Sequence, residues 1–144
     1  MSGRYPSEVV RVVVTILAPF IAVFGLYVVA HGHYGPGGGF AGGVVLAVAA
    51  MLPRLTLDDA LVYRGLPYEV GPITGAVGLL LFAVLGLVPV LLGAPFLDYA
   101  AVEIGEIAAS RVRYLGILVI EIAVGAAVFG AMLMIYDVIA GRAR

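Results

Sequence analysis

The sequence predicts an all-α integral membrane protein: four transmembrane helices, a Gly-rich loop leading into the second, and short interfacial helices between spans. Three observations carry this. Apolar residues make up 63% of the chain and the mean hydropathy is +1.16, against roughly 45–50% apolar usage in soluble domains. Charged residues are only 12% and gather between the apolar runs. Those runs, at about residues 12–30, 38–52, 73–92 and 114–139, come near the length that crosses a bilayer. The 144 residues leave room for a single domain, 1–144.

Composition also excludes several functions. A formal net charge of −1 offers no basic surface for nucleic acid. The sequence has no lysine, which removes a Schiff-base nucleophile and a P-loop cation. With no cysteine there is no disulfide, iron–sulfur ligation or thiolate zinc site. No cofactor, metal or nucleic-acid partner is therefore expected, and the partner that is expected is the lipid bilayer.

Residues 12–30 are apolar apart from Thr15, and about 19 residues at 1.5 Å each approach the roughly 30 Å hydrocarbon core. The run is too long for a signal-peptide core and has no small-x-small cleavage site behind it, so it reads as a retained span. Pro19 lies inside it, cannot donate to the Thr15 carbonyl, and should kink the helix, either as a packed bend or as a functional break. The second run is shorter. Before Pro53 only residues 38–52 look helical, and about 15 residues give roughly 22 Å, too little to span alone. The glycine segment ahead of it is expected to sink to membrane depth, which is tolerable only where its backbone is covered. Burial against companion chains is the expectation. Pro36 suits a first-turn position, and the free N–H groups after it would aim a positive helix end inward.

Between Pro53 and Pro72 the chain turns polar, with Arg54, Asp58, Asp59, Arg64 and Glu69. Thr56 is placed to cap a short helix over residues 57–64 that stops at Gly65. The third run is long enough for a span. Gly71 and Gly75 are four apart, as are Ala126 and Gly130, a spacing that lets membrane helices approach closely. In residues 95–111, Leu97, Ala101, Ile104 and Ala108 share one helical face while Glu103, Glu106 and Ser110 share another, predicting an interfacial helix. The fourth run gives about 39 Å and should tilt or protrude. If the spans alternate, Arg4, Arg11, Arg54, Arg64, Arg142 and Arg144 lie on one side and Arg111 and Arg113 on the other. That puts both termini in the cytoplasm and the glycine loop outside.

Few residues can carry chemistry. Gly37-x-Gly39-x-x-Gly42 matches a dinucleotide fingerprint, but it follows a membrane run and not the strand of a βαβ unit. His31 and His33 would point the same way on an extended chain, yet two imidazoles alone make a poor metal site. They read as polar anchors at the membrane boundary or as a proton relay. Glu121 is more informative. Seven residues after Tyr114 it lies about 10 Å along the helix, where a carboxylate costs several kcal/mol unless it is neutral, paired or wetted. It must face protein or water, as a protonatable relay or as a structural hydrogen bond to a neighbouring subunit. Asp137, one turn from the run's end, reads as interfacial, with a pathway role as the alternative. No nucleophile–base–acid set is apparent, so an enzyme acting alone is not expected.

The run His31-Gly32-His33, followed by Pro36-Gly37-Gly38-Gly39-Phe40 and Gly42-Gly43, resembles the signature of the B subunit of Mrp-type (Mnh) multisubunit sodium/proton antiporters. The four-span plan, the chain size and residues 118–125 with Glu121 resemble that family too. The resemblance implies a small, multi-pass, non-catalytic subunit of a hetero-oligomer in a prokaryotic cytoplasmic membrane. That complex would exchange Na+ for H+, with larger subunits similar to those of respiratory complex I conducting protons. Homologues also occur in ferredoxin-driven membrane-bound hydrogenases and sulfur-reducing complexes, which gives an alternative setting. A third reading is a purely structural spacer. On the first reading Glu121, His33, His31 and Asp137 are candidates for an ion path.

Overall fold

A computed structural model describes residues 7–32, 37–57, 62, 64–102 and 108–141. Four helices dominate it: α1 (Glu8–Ala30), α2 (Gly38–Thr56), α3 (Val70–Leu91) and α4 (Ala109–Ile139). Each is long and apolar enough to cross a membrane. α1 packs along α2, α2 along α4, and α4 along α3. Two sequential hairpins thus meet through α2 and α4, with α1 and α3 on the flanks. His33, Pro36, Glu103 and Glu106 lie outside the described residues, as does most of the expected 57–64 helix.

α1 begins four residues earlier than the apolar run, with Glu8 in its first turn and within 3.8 Å of Arg11. An acidic side chain favours the positive end of a helix. The helix is unbroken through Pro19, which is exposed, so the proline does not interrupt the span. α4 begins at Ala109 and runs 31 residues, about 46 Å at the helical rise, well beyond a hydrocarbon core.

The second crossing does not fall short. α2 continues through Pro53 for 19 residues, about 28 Å. Proline removes one hydrogen-bond donor there, but the last turn is closed by Leu57 N–H donating to the Pro53 carbonyl (2.8 Å) and Thr56 Oγ1 to the Leu52 carbonyl (2.9 Å). Thr56 is therefore the last residue of α2, and the segment that it was expected to cap lies mostly outside the described residues. Of the glycine segment, Gly38 and Gly39 are buried against Glu121 of α4, so this chain itself supplies part of the expected cover.

Over residues 95–102 the expected interfacial helix is absent, and 109–111 belong to the start of α4. Leu97 takes φ +67°, which a helix cannot accommodate. Its N–H donates to the Gly86 carbonyl (3.3 Å), folding the loop back along α3. Asp98 then accepts from Ala100 N–H (3.1 Å) and caps a single 3₁₀ turn, Tyr99–Ala101. The Tyr99 ring covers Gly116 of α4, and burial raises its phenol above the ordinary tyrosine value.

Small residues set the helix contacts. A Cβ on Gly42 would stand 2.9 Å from the Gly25 carbonyl oxygen of α1, and one on Gly43 only 2.6 Å from the Gly125 carbonyl oxygen of α4. Two adjacent glycines therefore serve opposite neighbours. Across α3 and α4 the same logic holds: a Cβ on Gly130 would lie 2.5 Å from the Gly71 carbonyl oxygen. The two spaced pairs read from the sequence do meet, with Gly71 and Gly75 on Gly130 and Gly78 on Ala126. In lipid, such backbone approach is what gives van der Waals packing its strength.

Gly43→Leu must push α2 off α4. The expected cost exceeds the ~1–3 kcal/mol of ordinary overpacking, read as loss of the folded chain from membranes in a thermal or protease-resistance assay, while Val48→Leu on the exposed face leaves it intact. Raising the pH through the ordinary tyrosine pKa should progressively cost the Tyr99 contact, since the neutral phenol favours the folded state and the unfolded chain ionises first; Tyr99→Phe should remove that alkaline dependence.

Candidate functional site

α1 ends where His31 caps it. The His31 backbone N–H donates to the Tyr27 carbonyl (3.0 Å), Nδ1 donates to the same oxygen (3.1 Å), and the imidazole stacks on the Tyr27 ring with centroids 4.1 Å apart. His31 is thus exposed and held on its own helix. The structure does not gather it with Asp137, which lies at the opposite end of α4.

Gly32 and the start of α2 both lie against Glu121. A Cβ on Gly32 would fall 2.8 Å from Glu121 Oε1 and one on Gly38 3.3 Å from the same atom, while a Cβ on Gly39 would lie 2.8 Å from the Glu121 carbonyl carbon. Gly37 and Gly38 have φ of +152° and +79°, conformations open to glycine at little cost. Glycine is needed here twice over, for the turn and for the clearance. Phe40, by contrast, is 66% exposed.

The carboxylate consequently rests against the first turn of α2. Backbone N–H groups there lack intrahelical acceptors and carry the positive end of the helix dipole. Glu121 Oε2 is buried from solvent. A carboxylate so placed can hold a proton, compensate a cation, or anchor the helix start. Among the described residues no group of three or more His, Asp or Glu could hold a metal ion.

Asp137 does not face solvent. Its side chain is 0% exposed and paired with Arg54, whose side chain is also 0% exposed. Arg54 Nη1 donates to Asp137 Oδ2, and Nη2 donates to the Leu66 carbonyl (3.1 Å). One guanidinium thereby joins α2, α4 and the segment entering α3. Arg54 was counted from the sequence only as a positive charge in a loop. The signal that could have found it was a lone arginine and a lone aspartate near the ends of two apolar runs, since charges inside membrane segments pair with one another.

Removing one member leaves a buried uncompensated charge, whereas replacing both by apolar groups is often close to neutral. Arg54→Met alone should therefore cost about 3–5 kcal/mol, and Arg54→Met with Asp137→Leu much less, as measured by yield and thermal stability of the membrane-inserted chain. Equal losses in the single and double variants would contradict this account of the pair.

Comparison with known proteins gives the family. The family described as "Domain related to MnhB subunit of Na+/H+ antiporter" matches residues 9–134, which takes in all of α2 and α3 and both ends of the Glu121 contact. Similar curated proteins include antiporter subunit mnhB2 of Staphylococcus haemolyticus, 37% identical over 89 residues, covering 62% of this chain and 62% of that protein. Antiporter subunit mnhB2 of Staphylococcus aureus (strain Newman) is 37% identical over 93 residues, covering 64% of this chain and 65% of that protein. The chain thus spans under two thirds of the length of these relatives. Because the family match runs over most of the sequence, the chain belongs to the family of domains related to the MnhB subunit of Na+/H+ antiporters.

Proposed function

We propose that the chain is a small, non-catalytic membrane subunit of a multisubunit Na+/H+ antiporter, working beside other subunits in a prokaryotic cell membrane. Family membership, the names of the relatives and four helices of spanning length support this. Those names favour an antiporter over a ferredoxin-driven complex. Its two ends lie on the cytoplasmic side by the arginine distribution, which leaves the glycine segment and His31 toward the outside.

Within that subunit Glu121 lies on the ion path. One observation carries this reading: the carboxylate sits beside Gly32 and Gly38, at a helix start that opens on two glycines, Gly38 and Gly39. Counting back along α4, Glu121 stands sixteen residues from Asp137, about 24 Å along the axis, so it lies inside the bilayer and not at its cytoplasmic face. A titratable group at that depth is costly and marks an ion or proton route more often than a packing contact. Asp137, already neutralised by Arg54, is given a structural role instead.

The test is Na+-driven proton exchange in everted vesicles carrying the whole complex with Glu121→Gln, which keeps the shape and loses the charge. Exchange should fall roughly tenfold or more, the scale on which catalytic proton-transfer groups matter, with the complex assembled at wild-type level. Wild-type exchange would refute the path; loss of assembly would instead make Glu121 an anchor and the subunit a spacer.

A further inference from the structure

α2 and α4 run in the same direction, in register. Gly39 faces Glu121, Gly43 faces Gly125, and Arg54 pairs with Asp137. Gly38 to Arg54 and Glu121 to Asp137 are each sixteen residues, so the polar contacts at the two ends of the pair lie at matching heights. Between them the α2 face presents Gly39, Gly43 and Ala47, all buried. Such a seam lets backbones touch, and on the α2 side these three positions offer no large knob of the kind that fixes axial position in coiled coils.

We propose that Arg54 is a positioning residue for Glu121: by pinning α2 to Asp137 it sets the axial register that holds the start of α2 against the carboxylate some 24 Å away. The inference rests on the reading of Glu121 as part of the ion path. Geometry supports a pin over a simple clamp. The guanidinium reaches Asp137 and the Leu66 carbonyl with separate nitrogens, which constrains both distance and direction in a way that a point charge cannot. Buried polar pairs are weak sources of net stability, and specifying register is their best-attested use. The pair also lies near the C-terminal ends of both helices, at the far end of the seam from Glu121.

The experiment measures apparent KM for Na+ and maximal exchange rate per assembled complex for Arg54→Met/Asp137→Leu, for the charge swap Arg54→Asp/Asp137→Arg, and for Glu121→Gln. The apolar pair should assemble yet shift KM roughly tenfold or more, since misplacements near 1 Å have effects of that order or larger. The swap, which restores a pin, should return KM toward wild type. A wild-type KM in the apolar pair, or a swap no better than the apolar pair, overturns the proposal. If the apolar pair fails to assemble, Arg54→Lys decides: it keeps the charge without the fork and should still shift KM, and an unchanged KM overturns the proposal. Glu121→Gln separates the two ideas. If it abolishes exchange while the pin variants are silent, only the pin is lost; if it is itself silent, the ion-path reading fails and the pin with it.

Discussion

The structure depends on how closely α2 can approach α4. Carbonyl oxygens of α4 occupy the places where side chains of α2 would be, at Gly39 and again at Gly43. Backbone contact of that kind maximises dispersion in a solvent that offers no hydrophobic driving force between helices. It also lets the backbone at Gly32, Gly38 and Gly39 come up beside Glu121. The same glycines that bring the helices together therefore bring backbone against a carboxylate.

Polarity is then confined to two heights along the pair. At one, Glu121 meets the positive end of α2; at the other, Asp137 meets Arg54. An acid of α4 is used at each, but the partners differ in kind. A guanidinium faces Asp137, whereas the backbone at the start of a helix faces Glu121. The proposal assigns the ion-path role to Glu121 and a structural role to Asp137, two carboxylates of one apolar helix.

Much of this was legible in the sequence. Length and hydropathy give four spans, and a carboxylate within an apolar run has to be sheltered wherever the fold places it. A run of glycines beside apolar helices implies close approach, although not which helix approaches. The C-terminal turn of α2 was hidden because Pro53 is a local stop signal, overridden by the Arg54–Asp137 contact and by Thr56 bonding back to Leu52. That contact joins residues 83 apart, beyond any periodicity. The loop before α4 was misread for a related reason: Leu97, Ala101, Ile104 and Ala108 have helical spacing, but a left-handed Leu97 and a capping Asp98 decide the backbone locally.

The account's central claim is a parallel, in-register α2–α4 pair closed at both ends. Because the chain has no native cysteine, spin labels can be placed cleanly at exposed positions Phe40, Leu55, Ile122 and Val138, and pulsed dipolar spectroscopy on the membrane-embedded complex measures the geometry directly. Short, narrow distances for both Phe40–Ile122 and Leu55–Val138, with a clearly longer Phe40–Val138 distance because it also spans the roughly 24 Å between the two heights, are the predicted result. A broad or long distance at either end, or a short Phe40–Val138 distance, would contradict it.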